Sequence, residues 1–167
     1  MNELAPKTEH RSVEFHHFGV MVRDLSIAAQ YYATSLGYEA RSGIIHDPVQ
    51  GALVQFLALP RTRHYLELIT PDSFQSVLTN SLKRGTGLHH ICFSTVAIEE
   101  SVQSLRNGGA LLLQAPVAAS AFRNRRIAWL MDRTRTLLEL VERDGARELE
   151  LSFLTGVGNE AGGNNSV

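Results

Sequence analysis

The sequence predicts an α+β fold of two βαβββ modules that together form a half-barrel cup. The first observation is a doubled histidine at the start of an apolar run, in "FHHFGVMV" (15–22) and again in "GLHHICF" (87–93). The second is the similarity of a later strand in each half, "YLELIT" (65–70) and "LLELVE" (137–142). The third is the spacing from the second histidine to the glutamate of that strand, which is 50 residues in one half and 49 in the other. Patterns that recur together at one spacing indicate an internal repeat.

The first module spans residues 14–70 and opens on the strand that carries His17. In the next segment, "DLSIAAQYYATSLGY", apolar residues recur with helical spacing, Asp24 or Ser26 is a candidate N-cap and Gly37 is a stop signal. The apolar run "ALVQFLAL" then predicts a strand ahead of "YLELIT".

The second module spans residues 87–142 and repeats this order. Its helix, in "AIEESVQSLRNGGA", places Ile98, Val102 and Leu105 on one face and ends at a pair of glycines. The run "RIAWLMD" predicts the strand before "LLELVE".

Three segments lie outside the modules. Residues 71–86 are predicted to be a helical linker. The N-terminal tail, residues 1–13, is polar without periodicity, and the C-terminal tail, residues 143–167, ends in a stretch rich in glycine and asparagine that predicts flexibility. Neither tail is expected to carry functional residues.

Composition indicates a small-molecule partner. The formal net charge of -1 gives no general basic surface, so neither nucleic acid nor an anionic membrane is predicted as a partner. A single cysteine, Cys92, excludes an internal disulfide and is typical of a reducing compartment. With no apolar run of about 18 residues and no leader pattern, the chain is expected to be cytoplasmic.

Strand alternation predicts which histidine of each pair faces the cup. Successive strand residues point to opposite faces, so Phe18, with Val20 and Val22, is expected to pack beneath the following helix. His17 and His90 then face the cup, whereas His16 and His89 fall in the packed phase and are interpreted as structural residues or as supports of the ligands.

The same alternation predicts that Glu67 and Glu139 face the cup with these two histidines. Two carboxylates and two imidazoles are costly to bury unless a cation compensates their charge. Zinc, nickel, cobalt, manganese and iron all accept this ligand set, so one divalent metal ion is predicted without a choice among them. A one-residue slip of the first "LEL" strand would replace Glu67 as a ligand by a neighbour such as His64. Cys92 is interpreted as a small residue on the cup floor.

The motifs "HHFGVMVRDL", "GLHHICFSTVAI" and "LLELVE" resemble those of the vicinal oxygen chelate superfamily, the glyoxalase, bleomycin resistance and dioxygenase proteins. The resemblance covers residues 14–142 and is greatest to the methylmalonyl-CoA epimerase and glyoxalase I branch. It implies metal ligands at His17, Glu67, His90 and Glu139. It also implies a homodimer, although relatives close the cup both within one chain and across a dimer.

The resemblance implies a reaction in which a proton is removed from the carbon alpha to a metal-chelated carbonyl. The substrate would be a small acid or an acyl thioester such as an acyl-CoA, and the reaction either epimerase or isomerase chemistry or a glyoxalase-like lyase reaction. Glu139 and Glu67 are the candidate proton-transfer groups. The sequence departs from the epimerase pattern at one place, because "DPVQG" has Val49 where epimerases typically have a proton-transferring glutamate. For epimerisation, Asp47, His46 or Glu67 would have to replace that glutamate.

Candidate substrate-binding residues come from two places. In "AFRNRRIAWL", Arg123 and Arg126 precede a strand and could hold a phosphate or carboxylate. Gln55 and Trp129, with Phe56, are the candidates from the strands. The competing interpretation is that the arginines lie in an exposed, solvated loop. For the aromatic residues, it is that they belong to the core.

Two other classes of function stay open. An extradiol-type dioxygenase would use two histidines and one glutamate around ferrous iron, and Glu67 as a fourth ligand argues against it. A metal-free ligand-binding or resistance protein would not need the intact set of histidines and glutamates.

Overall fold

A computed structural model describes residues 13–145 and contains nine strands and three helices. The predicted tails, residues 1–13 and 143–167, lie almost wholly outside the described residues. In chain order the elements are β1 (Glu14–Met21), α1 (Leu25–Leu36), β2 (Glu39–Ala40), β3 (Ile45–Asp47), β4 (Ala52–Ala58), β5 (Tyr65–Pro71), α2 (Thr79–Arg84), β6 (Gly87–Thr95), α3 (Ile98–Asn107), β7 (Leu111–Ala119), a short 3-10 helix (Ser120–Phe122), β8 (Arg125–Met131) and β9 (Leu137–Glu142).

All the strands join one mixed sheet, which confirms the predicted α+β class. The strand order is β2-β4-β5-β1-β6-β9-β8-β7, with β3 paired to β4. At the centre β1 and β6 are antiparallel, and each has a parallel partner on its other side, β5 and β9 respectively. The two histidine strands therefore lie side by side, each flanked by its glutamate strand.

Local signals in the sequence set the ends of α1. The Asp24 carboxylate accepts a hydrogen bond from the Ile27 backbone N–H at 2.9 Å, and Gly37 ends the helix with a left-handed φ of 74°. Leu25 and its neighbours pack against Leu57, Leu66 and Leu68 on one face of the sheet. The linker helix is shorter than predicted, because α2 covers only Thr79–Arg84 and its first turn has no side-chain cap.

The opposite face of the sheet carries the larger core cluster, which includes Phe56, Tyr65 and Phe122. A third cluster lies beneath α3 and includes Ile98 and Leu130. Within the described residues, no helix has both the length and the apolar composition needed to cross a membrane.

The prediction for the first histidine of each pair is wrong, because both pairs sit at β-bulges. Phe15 and His17 of β1 pair with consecutive residues of β6, so His16 is the extra residue of a bulge on β1. Gly19 and Val20 pair with His90 and Leu88, so His89 is the extra residue of a bulge on β6. A bulge resets the alternation, and both histidines of each pair turn toward the same face. From His17 to Met21 the alternation holds, so Phe18 faces away from the cup as predicted, but it is 44% exposed rather than packed beneath a helix.

Candidate metal centre

Four side chains meet at the middle of the sheet, as the alternation of β1, β5, β6 and β9 predicts. The Nε2 atoms of His17 and His90 are 2.9 Å apart. Glu139 Oε2 lies 3.3 Å from each of them. Glu67 Oε2 lies 3.3 Å from His17 Nε2 and 3.5 Å from His90 Nε2. All four residues are at most 4% exposed, so the four polar atoms converge on one buried point.

The strand register explains this convergence. Gly19 pairs with Glu67 on one side and with His90 on the other. A Cβ atom on Gly19 would lie 2.1 Å from His90 Cε1, well inside any van der Waals contact. Glycine is therefore required for the His90 ring to cross over β1 and reach His17.

The distances fit a single divalent cation. Two ligand atoms, each about 2.1 Å from a common ion and separated by an angle of about 90–109°, lie roughly 3.0–3.4 Å apart. The observed separations of 2.9–3.5 Å match the edges of such a coordination polyhedron. The ligand types, two imidazoles and two carboxylates, suit zinc, nickel, cobalt, manganese and iron alike.

Each candidate histidine ligand is supported by the histidine that precedes it. His16 Nδ1 lies 2.7 Å from His17 Nδ1, and His89 Nδ1 lies 3.0 Å from His90 Nδ1. For Nε2 of His17 to bind a cation, its proton must be on Nδ1 and be donated to His16. The bulges therefore place a hydrogen-bond acceptor next to Nδ1 of each candidate histidine ligand.

Charges within the cluster shift the protonation equilibria. Burial lowers the pKa of His17, but the Glu67 and Glu139 carboxylates outweigh it and raise that pKa to about 9. Burial likewise opposes ionisation of Glu139, yet its contacts with His17 and His90 hold its pKa below the usual range. Burial and the neighbouring histidine lower the pKa of His16 to about 3 and that of His89 to about 4, so both are neutral.

A second group that includes Cys92 is a weaker candidate. Its sulfur lies near His16 and His17. Burial, followed by the Glu139 charge, raises the pKa of the Cys92 thiol well above its ordinary value. Since the thiolate is the form that binds metal, Cys92 fits its predicted place on the cup floor better than a ligand role.

A cavity of about 450 Å³ adjoins the cluster and is lined by three of its four side chains, Glu67, His90 and Glu139. Trp129 lines it, with its ring 4.8 Å from that of His90 and its Nε1 donating to Gln50 Oε1 at 3.0 Å. Asp47 also lines the cavity, and its two oxygens accept hydrogen bonds from the backbone N–H groups of Gln50 and Ala121. The sequence analysis missed Gln50, for which the turn before Gly51 was the only available signal.

Three of the predicted substrate-binding residues do not line this cavity. Gln55 points to the other face of β4 and donates to the Ser42 carbonyl at 3.3 Å. Arg123 is exposed in the turn after the 3-10 helix. Arg126 forms ion pairs with Glu99 and Glu142 and so joins α3 to β9. Glu142 therefore has an ion-pair partner on the neighbouring strand.

His46, Asp47 and Glu67, the candidates to replace the glutamate that epimerases typically have at the position of Val49, differ in where they lie. Val49 itself is 58% exposed and does not line the cavity. His46 is paired with Asp72 at 3.0 Å on the outside. Asp47 and Glu67 remain as cavity-lining carboxylates in addition to Glu139.

Known proteins are similar to this chain in fold and in part of their sequence. Residues 16–129 match the family model for the glyoxalase/bleomycin resistance protein/dioxygenase superfamily. An ethylmalonyl-CoA/methylmalonyl-CoA epimerase of Cereibacter sphaeroides is 34% identical over 101 residues, which are 59% of this chain and 72% of that one.

Two solved structures extend the comparison. Methylmalonyl-CoA epimerase from Mycobacterium tuberculosis is 27% identical, with a TM-score of 0.66 over 79% of this chain and 89% of that one. A variant of the Streptomyces coelicolor methylmalonyl-CoA epimerase, in complex with 2-nitronate-propionyl-CoA, is 26% identical, with a TM-score of 0.67 over 80% of this chain and all (100%) of that one.

Proposed function

The chain belongs to the glyoxalase/bleomycin resistance protein/dioxygenase superfamily, and we propose that it is a metal-dependent, epimerase-like enzyme that removes the α-proton of an acyl thioester such as an acyl-CoA. The observation that carries this proposal is the buried cluster of two histidines and two glutamates beneath a cavity. The likeness to epimerases of acyl-CoA substrates supports the choice of substrate class.

His17, Glu67, His90 and Glu139 would hold the metal ion. When bound, a divalent cation supplies positive charge that stabilises the negative charge developing on a substrate carbonyl oxygen. The chain contributes the fixed ligand geometry, and Gly19 leaves the space in which the His90 ring reaches the site. The apolar walls of the cavity, Phe122 and Ile127 among them, exclude water from the reacting carbon.

Glu139 is the base we propose for proton removal. Glu139 lies both at the metal cluster and on the cavity wall. A substrate carbon above the cluster is therefore within its reach.

Epimerisation needs a second group that returns the proton from the opposite side. Strand order β5-β1-β6-β9 places Glu67 and Glu139 on opposite flanks of the histidine pair. Asp47 is the other cavity carboxylate, but it accepts backbone hydrogen bonds on both oxygens. We assign Glu67 as the second acid/base group and Asp47 as a residue that holds the loop before β4.

Metal analysis is the first test. We expect about one divalent ion per chain in purified protein, and its loss in the His17→Ala/Glu139→Ala double variant. His64→Ala is the matched control, because His64 is exposed and lies outside the cluster. Purified protein that contains no metal and takes none up would refute the proposal.

Proton exchange in heavy water tests the reaction. We expect the protein to incorporate deuterium at the α-carbon of 2-substituted acyl-CoA thioesters, and Glu139→Gln to abolish incorporation while the protein still folds. Glu67→Gln should separate exchange from inversion, because one base suffices for exchange but inversion needs two. A panel of acyl thioesters and hemithioacetals without any exchange would contradict the proposal, as would oxygen-dependent cleavage of a catechol.

A further inference from the structure

A second cavity adjoins the one above the metal centre. It has a volume of about 360 Å³ and lies between the end of α2, the turn of Gly85 to Gly87 and the turn that joins β8 to β9. Ser81, His89 and Leu137 line both cavities. A molecule bound over the metal centre can therefore extend past these three residues into the second cavity.

This second cavity is basic. Arg84 and Arg135 line it, and none of the described residues in its wall is acidic. We call it the arginine pocket. Thr86 and Ser81 add hydroxyl groups to the wall, so the pocket is polar where the main cavity is mostly apolar.

Neither arginine is neutralised within residues 13–145. Arg84 Nη2 donates to the uncharged Ser81 hydroxyl at 3.0 Å, and no ion pair to either arginine is formed in this part of the chain. Asp132, the carboxylate nearest to Arg135 in sequence, instead accepts hydrogen bonds from the backbone N–H groups of Thr134 and Thr136, at 2.8 Å each. Two guanidinium charges therefore remain beside the pocket.

The turn that carries Arg135 is well defined by its own hydrogen bonds. The Arg135 backbone N–H donates to the Asp132 carbonyl at 3.1 Å, and Arg135 has a left-handed φ of 68°. The backbone from which the guanidinium extends is thus fixed relative to β8 and β9.

We propose that the arginine pocket binds the phosphate groups of a coenzyme A thioester whose acyl end lies over the metal centre. The proposal rests on the proposed function for its substrate class, and adds the residues that would select the coenzyme. Guanidinium groups bind phosphate oxygens through paired, charge-assisted hydrogen bonds. Two uncompensated positive charges match a phosphate, which carries about -1.5 to -2 at neutral pH, better than one carboxylate.

Calorimetry with coenzyme A, phosphopantetheine and pantetheine tests the pocket without any reaction. We expect the wild type to bind the two phosphorylated compounds at least tenfold more tightly than pantetheine, with affinity that falls as salt is added. Arg84→Ala and Arg135→Ala should each weaken binding of the phosphorylated compounds about tenfold and leave pantetheine unchanged. Arg135→Lys should retain part of the affinity.

Arg63→Ala is the matched control, because Arg63 is an exposed arginine away from the pocket. Equal binding of pantetheine and coenzyme A, an equal loss in Arg63→Ala, or displacement of coenzyme A by malonate as readily as by phosphopantetheine would overturn the proposal. Arginine-dependent binding of coenzyme A without any α-deuterium exchange would refute the proposed reaction and support the proposed phosphate-binding role of the pocket. Exchange with pantetheine and coenzyme A thioesters at the same KM would refute the pocket and keep the reaction.

Discussion

Among single residues, Gly19 is the position where the smallest change should disturb the candidate metal centre most. We expect Gly19→Ala to weaken metal binding at least tenfold, because the new methyl group would occupy the space of the His90 ring. Metal titration and thermal unfolding measure the effect. Gly43→Ala is the control, since a Cβ there meets no atom within 4 Å; equal metal affinity in the two variants would contradict this account of Gly19.

The histidine pairs give a second prediction for single residues. We expect His16→Ala to weaken metal binding by about 10–100-fold, because the acceptor that holds the proton on His17 Nδ1 is lost. His16→Asn offers a replacement oxygen acceptor and should recover part of the affinity. Metal titration gives the affinity, and nitrogen chemical shifts report the tautomer of His17. If His16→Ala lowers thermal stability but leaves both readings unchanged, His16 is only a packing residue.

The sequence predicts the four candidate ligands and a supporting role for His16 and His89, but not the face of the sheet on which these two lie. His17, Glu67, His90 and Glu139 are identified by two spacings that agree to within one residue. The role of His16 and His89 depends on bulges, which arise from the pairing of β1 with β6 across the chain. Nothing local in either strand specifies that pairing, so simple alternation assigned both residues to the wrong face.

Among the elements, β1 is only partly covered by α1, because Val20 packs in the cluster beneath this helix whereas Phe18 does not. We expect Phe18→Ala to cost about 1 kcal/mol or less, because Phe18 is 44% exposed. Leu68→Ala, on the adjacent strand and fully buried, should cost about 2–5 kcal/mol. Denaturant unfolding of both variants measures the difference. A loss at Phe18 as large as that at Leu68 would indicate that Phe18 is packed beneath α1 rather than exposed.

Elements defined by local signals are predicted best. The start and end of α1 follow from Asp24 and Gly37, whose side chain and backbone conformation act within one turn of the helix. The linker helix carries no such signals and is shorter than predicted. The direction of Gln55 and the ion pairs of Arg126 likewise depend on strands and helices that are remote in sequence, so local patterns do not predict them.

In the whole molecule, the repeat and the candidate site are two views of one arrangement. Each module contributes one histidine and one glutamate, and the antiparallel pairing of β1 with β6 brings the two sets together. The repeat in the sequence predicts this topology because equivalent strands of two similar modules occupy equivalent places. It does not predict the substrate, because Arg84 and Arg135, the arginines of the proposed pocket, lie outside the repeated motifs.

Because the centre takes ligands from both modules, metal binding should stabilise the whole fold. A ligand that binds only the folded state stabilises it by about 2.7 kcal/mol when present at 100 times its Kd, which corresponds to a rise in Tm of roughly 5 to 10 °C for a domain of this size. We expect a chelator to lower the Tm of the wild type by that amount, and added zinc or cobalt to restore it. The His17→Ala/Glu139→Ala variant should show the same Tm with and without chelator, because its modules no longer share an ion. A chelator effect that persists in the variant would place the stabilising metal elsewhere in the chain.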